Sequence, residues 1–215
     1  MSTGVEPITD NIWIFLGIAI LISFSGVMMP GPVFAAAVAK GYEDEKAGIK
    51  VALGHGIVEF PLMALIILSV GYIFTDDRVM ALIGLVGGGF LVFLGASMLR
   101  SRKMAIHDSS KMFPYKPLAA GAITTSVNPY FFLWWATVGA VLVTTALEFG
   151  AIVVFVFAVV HWSCDLAWYT FTTFAVFRTK HLWTPTVHEV VFRACGALMV
   201  VFGVYFILGP ASEIL

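Results

Sequence analysis

Almost the whole chain is taken up by six apolar stretches, each long enough to cross a lipid bilayer, and this leaves it little to fold into except a bundle of membrane helices. The stretches are Ile12 to Ala39, Val51 to Thr75, Val79 to Leu99, Pro117 to Leu147, Phe149 to Phe177 and about Val190 to Gly209. A span needs about 20 apolar residues, and with no water in the hydrocarbon core its backbone polar groups must bond within the segment, so each stretch is expected to be helical. Hydrophobic residues make up 60% of the 215 and charged residues 12%, against about 25% charged in an ordinary soluble domain. No length is left for a soluble catalytic domain, and a net charge of -1 offers nothing to nucleic acid. Neither a phosphate loop, a zinc-hydrolase motif nor a nucleophile elbow occurs, so neither enzymatic activity nor a cofactor is expected.

The loops orient the chain. Of its 12 Lys and Arg residues, only Arg78 lies outside the connections between the first and second, third and fourth, and fifth and sixth stretches. Cytoplasmic loops are the basic ones, so loops 40–50, 100–116 and 178–193 are expected in the cytoplasm and both termini outside. Residues 1–11 carry Glu6 and Asp10 but no cation, the reverse of a signal peptide, so the first stretch is expected to be retained as a span.

Two stretches are interrupted at corresponding places, the first at Pro30-Gly31-Pro32 and the fourth at Asn128-Pro129. A break inside the bilayer exposes backbone groups that are tolerated where they line a cavity or hold a ligand. Pro suits the first turn of a helix and Asn its cap, so Pro32 and Asn128-Pro129 read as new helix starts, with Gly31 supplying the backbone freedom of the first turn. Free N–H groups at such starts favour an anion such as a carboxylate. The third and sixth stretches share a glycine spacing, Gly88 with Gly95 and Gly196 with Gly203, and the second and fifth each carry a histidine one helical turn before an acid, His55 with Glu59 and His161 with Asp165. Three spans per half implies that the halves are inserted oppositely. The expected fold is therefore an all-α membrane protein of six transmembrane helices in a 3+3 inverted repeat, broken in helices one and four. It forms one domain, with repeat 1 over about 12–99, a polar basic loop at 100–116 and repeat 2 over about 117–210.

Glu59 and Asp165 are the charged residues well inside the spans. An ionised acid at a helix centre costs about 2.5–3.5 kcal/mol, so such groups are expected to be functional, holding a cationic group or a proton. His55 and His161 could relay protons, tune the acids, or join them around a divalent cation; they could equally serve only as hydrogen-bonding partners. Pro61 is expected to kink the second helix. Cys164 and Cys195 form no C-x-x-C pair and read as packing residues, and the tryptophans, Trp134 and Trp135 among them, as interfacial anchors and bundle packing.

These residues resemble a known group. The run Pro30-Gly31-Pro32, then Glu45 through Gly54 and Glu59, is similar to the amino-terminal signature of the LysE family of amino-acid exporters: a Gly-Pro break, a basic Ala-Gly turn, a glycine in the second helix and an acid five residues on. Gly121 through Asn128-Pro129 resembles the family's fourth-helix motif, Asp165 its fifth-helix acid and Gly88 to Gly95 its third-helix glycines. His55 and Val58 stand where the family usually has an apolar residue and a glycine. The resemblance implies a six-helix exporter of the inner membrane, acting as a homodimer and moving amino acids or related metabolites outward on a proton or other ion gradient. Pro30, Gly31, Pro32, Glu59, Asn128, Pro129 and Asp165 are then expected to bind solute and coupling ion, supported by His55, His161 and Gly54. One alternative is a divalent-metal exporter using His55, Glu59, His161 and Asp165, and another is a scaffold subunit that transports nothing.

Overall fold

The computed structural model describes residues 9–68, 77–100, 113–182 and 184–214. The outer tip of the second apolar stretch, Arg102, Lys103 and Lys111 of the basic loop, Trp183 and the extreme N-terminus with Glu6 lie outside them. The described residues are helical, with no strand among them. In chain order the helices are α1 (Ile12–Val27), α2 (Pro32–Gly41), α3 (Ala47–Ile67), α4 (Asp77–Arg100), α5 (Pro117–Ser126), α6 (Pro129–Trp134), α7 (Ala140–Glu148), α8 (Ala151–Thr179) and α9 (Pro185–Ile214). A π-helical turn, Trp135–Gly139, joins α6 to α7.

By length and composition, α3, the run Pro129–Glu148, α8 and Glu189–Leu208 within α9 can each cross a membrane, and α1 with α2 makes a fifth if that bent pair is one span. The apolar part of α4, Leu85–Arg100, is shorter. Their lipid-compatible faces are plain: Leu21, Phe93, Ile152, Phe155 and Val201 are all more than half exposed, as expected where the surrounding solvent is hydrocarbon.

Glycine decides which helices meet. Without water there is little hydrophobic drive between helices, so close packing of small residues carries association. A Cβ on Gly54 of α3 would collide with the Leu118 carbonyl of α5, and one on Gly121 with the Val51 carbonyl of α3. Gly48 of α3 packs on Tyr169 and Thr173 of α8, its N–H donating to the Thr173 hydroxyl at 3.0 Å. The two glycine pairs of the third and sixth stretches face each other, Gly95 against the Gly196 carbonyl and Gly88 against that of Gly203. These approaches wedge α3 between α5 and α8 and join α4 to α9, while α1 and α2 lie along α8 and α2 also meets α5. Gly150, at φ 101°, makes the turn from α7 into α8, a conformation that favours glycine.

The chain leaves α1 at Val27 and enters α2 at Pro32 with a 77° change of direction. Gly31 caps α2 in an extended conformation, φ -148° and ψ -167°, and a Cβ there would meet only the Met29 carbonyl at 3.9 Å. The special backbone freedom expected of Gly31 is therefore not used; the turn is made in conformations open to other residues. Asn128 caps α6, its side chain accepting from the Tyr130 N–H at 3.2 Å. α3 continues through Pro61, which lacks the N–H that would bond to the Ile57 carbonyl.

Candidate functional site

Wedging α3 against α8 brings the two histidine–acid pairs together. Glu59, Asp165, His161 and His55 are 1%, 4%, 5% and 6% exposed. Glu59 Oε1 lies 3.2 Å from His55 Nε2, one turn back on its own helix, and 3.1 Å from His161 Nε2 on α8. Asp165 Oδ1 is 3.5 Å from His55 Nε2, and its Oδ2 is 3.9 Å from His161 Nε2. One turn of each helix thus contributes an imidazole and a carboxylate to a single knot, with the same edge of both rings turned inward.

Two hydroxyls fix that edge. Thr125 Oγ1 of α5 donates its one hydrogen to the Gly121 carbonyl at 2.7 Å and lies 2.8 Å from His55 Nδ1. Ser23 Oγ of α1 donates to the Ala19 carbonyl at 2.6 Å and lies 2.7 Å from His161 Nδ1. Each Nδ1 is therefore held by a hydroxyl, and each ring turns its Nε2 toward the carboxylates. Aromatic rings hold the imidazoles still. Trp134 stacks on His161 with centroids 5.2 Å apart, Trp135 meets it edge-on at 5.0 Å, and Phe131 meets His55 edge-on at 5.3 Å. The π turn begins at Trp135, a device that recurs at functional sites because it re-aims neighbouring side chains.

All four knot residues open onto one cavity, whose walls also include Pro30, Gly31, Pro32 and Asn128 from the two breaks. No side chain caps α2, and its first residues, Pro32, Val33 and Phe34, line this space, so the positive end of the helix dipole borders it. The start of α6 differs, because Asn128 already occupies the Tyr130 N–H. Pro129 is buried with its ring against Gly87 of α4, and Gly54 serves the α3–α5 contact; neither lines the cavity.

The profile of the LysE type translocator family matches residues 24–209, all but the ends of the chain. The chain belongs to that family. It is therefore a multi-pass membrane transporter, from a family of translocators rather than enzymes. No curated protein and no solved structure matches it. Sequence reasoning overlooked the two hydroxyls behind the histidines and the place of two tryptophans in the cavity wall of this translocator. Ser23 and Thr125 were invisible because a hydroxyl in an apolar helix ordinarily bonds its own backbone one turn back, as both do here; their second bond exists only in the packed protein. Trp134 and Trp135, read as anchors or packing, do pack in the bundle core and also flank His161, and their adjacency to the Asn128 break was the available signal.

Proposed function

We propose that the chain is a secondary active exporter that carries amino acids or related small metabolites out across the cytoplasmic membrane, with the cavity as its central site. The single observation behind this reading is that both helix breaks and both intramembrane acids border one space. Intramembrane acids pointing into a cavity mark substrate or ion pathways, and irregular backbone at membrane depth belongs where a ligand is held. The uncapped start of α2 suits a solute carboxylate, and Glu59 and Asp165 suit its cationic end or a coupling proton.

The architecture that fits is six helices in two oppositely inserted triplets, with both termini outside, the basic loops in the cytoplasm and access alternating by rocking of the halves. Support comes from how the elements pair. α2 packs on α5, α3 on α8 and α4 on α9, each helix on its counterpart in the other half. The hydrogen bonds repeat the pattern: His55 of the first half is held by Thr125 at the start of the second, and His161 of the second by Ser23 at the start of the first.

Counterflow in proteoliposomes tests the reading. Amino-acid exchange by the wild type should fall by about 100-fold in Glu59→Gln and Asp165→Asn, the scale of one lost charge-assisted interaction of about 3 kcal/mol. Undiminished exchange in both variants would remove the acids from the mechanism. A second reading, export of a divalent cation, is favoured by one specific observation: both inward-facing histidine nitrogens lie 3.1–3.9 Å from carboxylate oxygens, close to the spacing of donors around one ion.

A further inference from the structure

We propose that His55, Glu59, His161 and Asp165 form a binding site for one divalent first-row transition-metal ion, with the two histidines ligating through Nε2. The inference names an occupant for the cavity and rests on reading that cavity as the place where solute is held.

Spacing is the first argument. An ion bound at about 2.0–2.1 Å by nitrogen and oxygen sets the donors of a tetrahedral shell roughly 3.3–3.4 Å apart. Four nitrogen–oxygen separations in the knot are 3.1, 3.2, 3.5 and 3.9 Å, the last two to different oxygens of Asp165; donor atoms of His55, Glu59 and Asp165 all lie within 4.8 Å of one another, and His161 joins that set through its 3.1 Å approach to Glu59 Oε1. A solute ammonium in place of the ion would have to widen that frame. Hydrogen bonds of about 2.7–2.9 Å from one nitrogen would hold the acceptors roughly 4.4–4.7 Å apart.

Chemistry is the second. With each Nδ1 held by the Thr125 or Ser23 hydroxyl, both Nε2 atoms converge on acceptor-only carboxylates. Oxygen Oε2 of Glu59, buried, has no hydrogen-bond partner among the described residues. Two buried carboxylates side by side, one with a partnerless oxygen, call for a cation between them. Two carboxylates with two neutral imidazoles carry a charge of -2, which one divalent ion cancels. A hydroxyl behind each ligating histidine is the outer support such sites use, and mixed imidazole and carboxylate donors suit Mn, Fe, Co, Ni or Zn ions over Mg or Ca. All four ligands border the cavity, so the site is reachable.

The test is titration of the purified full chain in detergent with Co(II), followed by visible absorption and calorimetry. The expected result is one ion per chain with the intense visible bands of a four- or five-coordinate nitrogen–oxygen site. Affinity should fall about 100-fold or more in Glu59→Gln and His161→Gln, and about 10–100-fold in Thr125→Val, which removes only the support behind His55. No saturable uptake of Co(II), Zn(II) or Mn(II) by the wild type would overturn the proposal and leave a proton-linked knot of imidazolium and carboxylate. Unchanged binding in folded Glu59→Gln and His161→Gln would overturn it too. The counterflow assay separates this result from the exporter reading: amino-acid exchange without metal binding sinks the metal site alone, whereas metal binding without exchange of any solute sinks the exporter and leaves the site.

Discussion

Glu59 is shared between two helices, and that makes its substitutions separable. Glu59→Gln keeps the size of the side chain and an oxygen for one histidine nitrogen, so it should fold with a melting temperature near that of the wild type while losing function. Glu59→Ala removes the partner of two buried imidazole nitrogens at once. A buried polar group left unpaired costs about 1–3 kcal/mol, so the alanine variant should melt clearly below the glutamine variant when unfolding is followed by tryptophan fluorescence in detergent. Equal melting would mean that Glu59 does not tie α3 to α8. The histidine–acid pairs were legible in the sequence, because a spacing of four puts His55 with Glu59, and His161 with Asp165, on one helical face whatever the tertiary fold. That Glu59 would serve the other helix's histidine was not legible, since periodicity says which face a residue occupies but not what that face meets.

Among the elements, the α3–α5 contact carries the most exacting steric demand. Gly54 and Gly121 let the two backbones touch, and one turn beyond Gly121 the same helix presents Thr125 to His55. Gly54→Ala must push α5 away, because the obstruction is the Leu118 carbonyl and not the end of a movable side chain. Overpacking of this kind costs about 1–3 kcal/mol. The variant should therefore melt lower and also bind solute or ion more weakly, as Thr125 is withdrawn. Gly17→Ala is the control: nothing lies within 4 Å of a Cβ at Gly17, and its melting point should stay unchanged. If the two alanines behave alike, glycine contact is not what seats α5. The glycines could be read from the sequence as a repeating pattern, and the meeting of Gly95 with Gly196 gives that pattern its physical cause. The π turn could not be read, because Trp135 to Gly139 is as apolar as the helix around it and nothing in its composition departs from an ordinary span.

For the whole molecule, apolar run length made the membrane class plain from the outset, while the contacts that tie residues 42–46 to α8 depend on loop conformations that hydropathy does not encode. On the side proposed to face the cytoplasm, residues 42–46 are tied to the end of α8. Lys180 Nζ donates to the Tyr42 carbonyl at 3.2 Å, and the buried Thr173 hydroxyl lies 3.1 Å from the Glu45 carbonyl. Arg178 Nε lies 3.1 Å from Glu45 Oε2 as an ion pair too poorly aligned to be a hydrogen bond. An exposed pair of that kind contributes about 0–1 kcal/mol, whereas losing a buried hydrogen bond costs about 0.5–1.5 kcal/mol, up to roughly tenfold in the population of an inward-open state. Cys164, buried beside Asp165, is a native reporter of that opening once Cys195→Ser has removed the second thiol. In that background Thr173→Val should raise the rate of maleimide labelling at Cys164 by about 5–10-fold, and Glu45→Gln by about 5-fold at most. Lys50→Gln breaks a pair with Asp44 that lies on the near side of the seam and should leave the rate where it was. Equal labelling in all three variants would show that these contacts decorate the loop without holding the cavity shut, and the gate would have to be sought elsewhere in the bundle.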